Sequence, residues 1–224
     1  MIRKMIELQP SFTVGVTGHR PHRLRIGPAV LLRQCLDVLS SIARGSRSCR
    51  HVAISALAEG ADRAFTEAAL TARYELHAVL PFVSNDYEKT FSDRGGLPTY
   101  KHLLAAAARV KELPGSLTAA NDAYADVGRE IIMRADIIVA IWDDKPGQGK
   151  GGTPDVIEMA LGARKPVIWI DANGQKPRRV LVPPRAGSGV PLEILKGRAR
   201  RLQPRRVRDL ASRLSSKLRA SPRS

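Results

Sequence analysis

The stretch ADIIVAIWDDKPGQGKGGTPDVIEMALGARKPVIWID, residues 135–171, decides the fold. Its opening, ADIIVAIW, is an apolar run broken only by Asp136, the pattern of a strand buried on both faces. A glycine-rich loop follows, then the helical segment TPDVIEMALGAR and a second apolar run, PVIWID. The helix start is signalled by Thr153 as N-cap, Pro154 at the first helical position and Asp155 in the first turn. Strand, loop, helix and strand in that order form a unit of a parallel sheet, because two parallel strands need a crossover and a helix supplies it.

The same alternation is legible upstream. FTVGVTG (12–18) reads as a strand running into a tight turn, and PAVLLRQCLDVLSSIAR (28–44) as a helix stopped by Gly45. HVAISAL (51–57) is a second strand, AEGADRAFTEAALTAR (58–73) a helix-forming segment, and ELHAVLPF (75–82) a third strand closed by Pro81. Between Ser84 and Pro114, NDYEKTF predicts a short helix and TYKHLLAAAARVKEL a longer one, as an insertion before the next strand. NDAYADVGREIIMRA (121–135) is a further helix leading into ADIIVAIW. The expected architecture is a doubly wound α/β fold: a mainly parallel, Rossmann-like sheet of about five or more strands with helices on both faces.

After Asp171 the pattern fades. VLVP (180–183) and VPLEIL (190–195) predict an edge strand or a turn of helix, and LASRLSSKLRA (210–220) a basic amphipathic helix. Of the 37 Lys and Arg, 15 lie in residues 176–224 with two of the 21 acids, so most of the formal net charge of +16 sits there and residues 1–175 are near balance. We therefore read residues 1–175 as one Rossmann-like domain and 176–224 as a basic, Arg-rich extension, partly disordered or helical. Such an extension either solubilises the chain or holds a nucleic acid through its phosphates; it has no Tyr, Phe or Trp for base stacking.

Composition narrows the class further. With 43% hydrophobic and 4% aromatic residues, the interior is built from Ala, Val, Leu and Ile. Cys35 and Cys49 stand in no metal-ligand spacing, so reduced thiols in a cytoplasmic protein without a metal or bound cofactor are expected. The first residues lack the apolar core of a signal peptide, and no apolar run is long enough to span a bilayer. Ala-rich segments such as Leu103–Val110 offer a flat surface for either a homodimer or the chain's own sheet.

In an open parallel sheet the ligand lies outside the carboxyl ends of the strands, near the point where strand order reverses. Residues 147–153, GQGKGGT, are the strongest candidate: Gly149, Gly151 and Gly152 let backbone N–H groups approach an anion, and the following helix points the positive end of its dipole at the same place. Lys150 can add a charge and Thr153 a hydroxyl. The loop is not a Walker A motif, since no Gly-Lys-Ser/Thr unit ends it. Thr17, Gly18, His19 and Arg20 bring a hydroxyl, a bare backbone and cations to the tip of the first strand, for a phosphate or for capping a neighbouring helix. Glu59, Gly60 and Asp62 follow the second strand, where an acid can bind ribose hydroxyls or begin a helix. Asp155 and Glu158, three apart on one helix face, either serve as acid or base in cleaving an N-glycosidic bond or merely suit the dipole and solvent.

The motifs VGVTGHRP, SALAEGADRAFTEAAL and REIIMRADIIVAIWDDKPGQGKGGTPDVIEMA together resemble the SLOG superfamily, Rossmann-like domains that include the phosphoribohydrolases called LOG and the DNA-processing protein Smf. The first two are similar to a branch related to YpsA-type proteins, and the likeness covers roughly residues 11–172. It implies a nucleotide or nucleotide-derived ligand, with Gly151, Gly152 and Thr153 in the phosphate loop. The hydrolase branch follows Gly-Gly-x-Gly-Thr, after one residue, with two adjacent glutamates; here Pro154, Asp155 and Val156 follow, so one acid is replaced and the other absent. Arg129 stands roughly where that branch has a catalytic arginine. Related members are thought to sense nucleotide signals, which needs binding alone.

Overall fold

The computed structural model describes residues 9–91, 96–147, 149–183, 196 and 199–220. The elements are β1 (Ser11–Gly18), α1 (Pro28–Gly45), β2 (Arg50–Ser55), α2 (Ala61–Thr71), β3 (Glu75–Leu80), α3 (Ser84–Glu88), α4 (Gly96–Ala105) and β4 (Arg109–Glu112), then α5 (Ala120–Arg134), β5 (Ile137–Trp142), α6 (Thr153–Gly162), β6 (Val167–Asp171), β7 (Arg179–Leu181), β8 (Arg200–Arg201) and α7 (Pro204–Ala220). Among the described residues the eight strands form one sheet in the order β4-β3-β2-β1-β5-β6-β7-β8. The first six strands pair in parallel, and β7 and β8 are antiparallel at one edge. The mainly parallel, doubly wound fold expected from the sequence is the fold observed.

From β1 the chain steps outward through β2, β3 and β4, and α5 then carries it back to β5 on the other side of β1. The order therefore reverses between β1 and β5, which pair from Val14↔Ile137 to Gly18↔Ile141. Two adjacent parallel strands whose following loops diverge leave a crevice beyond their carboxyl ends.

Alternation along β5 explains its apolar run: Ile137, Val139 and Ile141 pack on one face with α1, α2 and α7, while Ile138, Ala140 and Trp142 pack on the other with α5 and α6. A third cluster joins Leu76, Ala78 and Leu80 of β3 to Tyr87 of α3 and to Tyr100 and Leu103 of α4. On α7 the apolar face bears Val207 and Ala211, buried in the same cluster as Leu31, Cys35 and Val38 of α1. Gly45 is what admits this contact: a Cβ there would meet the Arg208 backbone and stand 2.9 Å from Ala211 Cβ. Cys35 and Cys49 are both buried.

Two local expectations change. The long helix read over 99–113 ends at Ala105, and Arg109–Glu112 form β4, whose four residues are all exposed. Pairing with β3, from His77↔Arg109 to Leu80↔Glu112, overrides a helical preference that is worth only tenths of a kcal/mol per residue. The Leu103–Val110 surface is therefore no continuous helix face: Leu103 is buried and Val110 lies on the edge strand. Part of VLVP becomes the antiparallel strand β7, LASRLSSKLRA falls within α7, and VPLEIL lies outside the described residues. No helix among the described residues is long and apolar enough to cross a membrane.

Candidate functional site

A cavity of about 270 Å³ opens beyond the carboxyl ends of β1, β2 and β5, at the reversal of strand order. Thr17, Gly18, His19, Arg20, Asp62, Gly149, Gly151, Gly152 and Thr153 all line it, so most of the residues predicted from three distant segments meet in one place. Its volume is just below the range of small-molecule sites, roughly 300–1,000 Å³.

The loop after β5 forms one wall. Gly149 and Gly151 have φ of +154° and +79°, and a Cβ on Gly151 would stand 2.6 Å from the backbone nitrogen of Ala125 in α5, so the loop's backbone lies directly on that helix. Only glycine combines that conformation with that approach. The N-cap of α6 is Gly152, not Thr153 as the sequence suggests, and the helix start carries no side-chain cap. Thr153 is the first helical residue and is buried; its hydroxyl faces His19, with Oγ1 3.3 Å from Nδ1. Lying already inside the helix, Thr153 is past the position from which a side chain caps the first N–H groups.

His19 is buried at the tip of β1, its backbone N–H continuing the ladder to the Ile141 carbonyl. Its Nε2 lies 2.8 Å from Asp143 Oδ1, and Arg23 donates to both oxygens of that carboxylate, from Nε at 2.9 Å and Nη2 at 2.7 Å. Burial holds the His19 imidazole below its ordinary pKa despite Asp143. Burial also opposes the Asp143 carboxylate, but the hydrogen bonds from Arg23 and His19 outweigh it and keep its carboxyl below the usual range. The sequence reading missed both Asp143 and Arg23. Asp143 directly follows the buried strand β5, the position from which a site residue is most often supplied, and that signal was available.

The second wall comes from the turn after β2. Gly60, at φ +94°, would with a Cβ press 2.6 Å from the His19 carbonyl oxygen, which accepts the Ala61 N–H at 3.1 Å. Asp62 is buried, and burial drives its carboxyl up to about 7, against Arg20 and backbone hydrogen bonds at Ala58 and Ala56. The nearest Arg20 nitrogen is 4.0 Å from Glu59, and its guanidinium stands over the Tyr124 ring at 5.9 Å. Glu59 and Gly60 flank the cavity without lining it, whereas Asn121 and Tyr124 of α5, unread in the sequence, do line it.

The acids and arginine considered for catalysis lie outside the cavity. Asp155 Oδ2 accepts the Gly151 N–H at 2.9 Å and so braces the loop from behind. Glu158 is exposed on α6, and Arg129 is exposed on α5 and paired with Asp126. Lys150 lines the cavity but its ammonium reaches Asp122 at 2.6 Å.

The sequence matches no family model and no curated protein. Among solved structures, DNA processing protein A from Streptococcus pneumoniae is similar at 16% identity over 73% of this chain and 53% of that one, with a TM-score of 0.49. The chain thus spans about half of that protein's length. DNA processing protein A from Helicobacter pylori, described for its single-stranded DNA binding mode, is similar at 13% identity over 95% of this chain and 83% of that one, TM-score 0.49. The molybdenum cofactor carrier protein from Chlamydomonas reinhardtii is similar at 19% identity over 74% and 79%, TM-score 0.43.

Proposed function

We propose that the cavity binds a small phosphate-bearing ligand, a nucleotide or nucleotide derivative, and serves as a binding or sensing site. The observation that carries this reading is the start of α6: a glycine-rich loop with two positive φ angles delivers the helix N-terminus to the cavity, the N-cap Gly152 brings no side chain, and Asp155 takes the N–H of Gly151. The Gly152 and Thr153 backbone N–H groups and the positive dipole end favour an anion there. Thr17 and Arg20 supply further donors, and Asp62 with the Tyr124 ring suits the ribose and base. Binding without hydrolysis is favoured because Asp155 is committed to Gly151, while Glu158 and Arg129 face solvent.

The test is Gly152→Asp, which sets a carboxylate at the mouth of the loop. Calorimetric titration with AMP is expected to show binding to the wild type and none to the variant, whose thermal unfolding stays within a few degrees. Equal affinity in both removes the loop from the site. Free adenine, released by the wild type and reduced in Asp155→Asn and Glu158→Gln, would mark a phosphoribohydrolase instead.

A second reading, nucleic-acid binding, is favoured by the outer face of α7. Its apolar side is occupied by α1, leaving Arg206, Arg213 and Lys217 exposed along one line at i, i+7 and i+11. Replacing these three with Gln tests it better than truncation, which would remove core residues. A single-stranded DNA oligomer should bind with an affinity that falls with salt, and the variant's log–log salt slope should shrink by roughly 2. Unchanged binding would exclude α7 as the surface.

A further inference from the structure

The Thr153 hydroxyl has one proton and two claimants. His19 Nε2 is 2.8 Å from Asp143, a carboxylate fixed by Arg23 and by the Lys145 N–H, so Nε2 is the protonated nitrogen and donates to Asp143. In a neutral imidazole Nδ1 is then a lone pair, and the only proton available to the 3.3 Å contact with Thr153 is the hydroxyl's own. Thr153 consequently shows the cavity only lone pairs. A phosphate at the start of α6 gains a hydrogen bond from that oxygen only if the hydroxyl proton turns away from Nδ1. The conflict disappears when His19 gains a second proton: Nδ1–H donates to Thr153 Oγ1, and the hydroxyl proton turns to the anion.

Resting on the phosphate reading above, we propose that binding of a dianionic phosphate group in this cavity is coupled to uptake of one proton by His19, relayed through the Thr153 hydroxyl. The groups around the imidazole are set for this. Asp143, from the loop after β5, favours the imidazolium; Arg23 and His22, from the turn after β1, oppose it, as does burial. On the α2 side, Asp62 faces Arg20, and on α6 the Asp155 carboxylate is turned to Gly151. Without an anion the balance keeps His19 neutral, and a dianion beside Thr153 reverses it. One hydroxyl thereby makes the site sensitive both to ligand charge and to pH.

The experiment uses sulfate, which stays dianionic throughout the titration, so that any proton taken up belongs to the protein. Imidazole and amide ¹⁵N shifts of the labelled chain are followed from pH 5 to 8.5 in sulfate and in chloride of matched ionic strength. Sulfate should shift the Gly151 and Gly152 amides and raise the His19 pKa by about one unit or more, beyond any change at His22. Sulfate affinity should rise up to about tenfold per unit of falling pH between the free and bound values. Thr153→Val should cut the His19 shift and Thr153→Ser restore it. If the Gly151 and Gly152 amides respond while His19 titrates unchanged, or if the full shift survives in Thr153→Val, the relay is overturned and the anion site stands. If neither amides nor His19 respond, the phosphate reading falls with it.

Discussion

The Asp155 carboxylate takes the backbone N–H of Gly151 at 2.9 Å, so the acid that sequence places nearest the chemistry faces the rear of the loop. This geometry separates two roles. Asn keeps an acceptor oxygen of the same reach and Ala does not. A brace therefore predicts that Asp155→Asn binds AMP within about threefold of wild type, whereas Asp155→Ala loses roughly 10- to 150-fold, matching about 1.5–3 kcal/mol for a lost hydrogen bond to a charged group. Calorimetry on both variants checks it; a loss in Asn as large as in Ala would show that the charge itself is used.

Gly151→Ala meets two obstacles at once, a φ of +79° and the Ala125 backbone at 2.6 Å. We expect a destabilisation of about 1–3 kcal/mol and at least a tenfold loss of AMP affinity. Gly162→Ala is the control, since a Cβ there meets nothing within 4 Å. Urea unfolding should leave Gly162→Ala at or above wild type; equal stability of Gly151→Ala would mean that the loop does not lie on α5.

Asp62 yields a pH dependence with a definite sign. Its carboxyl stands at about 7 when folded and at 3.8 ordinarily, so between those values the folded state holds the proton that the unfolded state has lost. Stability contributed at this position therefore falls as pH rises from about 4 to 7 and stays low above. Asp62→Asn should match wild type near pH 4 and exceed it by several kcal/mol at pH 8. Denaturant midpoints at both pH values decide it. A variant weaker than wild type at pH 8 would show that the ionised acid is well paired.

Gly45→Leu should pry α7 from α1, because its side chain would occupy the space of the Arg208 backbone and Ala211. Overpacking of this kind costs about 1–3 kcal/mol. Limited proteolysis should then cut near residues 204–220 well before the rest of the chain. Resistance equal to wild type would mean that the two helices are not held together by this contact.

What was legible in the sequence was what local pattern controls. β5 could be recognised because both its faces are buried, and α7 because its apolar residues recur at helical spacing. β4 could not: Arg109–Glu112 has no apolar alternation and exists only through its partner β3. β8, Arg200–Arg201, is equally silent alone. At the site, Thr17 to Arg20 and the glycine-rich loop were found because strand ends in this architecture are where ligands lie. Asp143 could have been read from its place directly after β5, whereas Arg23 is silent alone, its role set by the Asp143 carboxylate it holds.

The packing of α7 on α1 also orders events during synthesis. Gly45 of α1 lies against Arg208 and Ala211 of α7, so the surface that α1 gives to α7 stays uncovered until nearly the whole described chain has left the ribosome. A nascent chain in that interval exposes an apolar helix face, the kind of surface on which chains stick to one another. The last helix acts as a clasp, and the core is sealed only when it arrives.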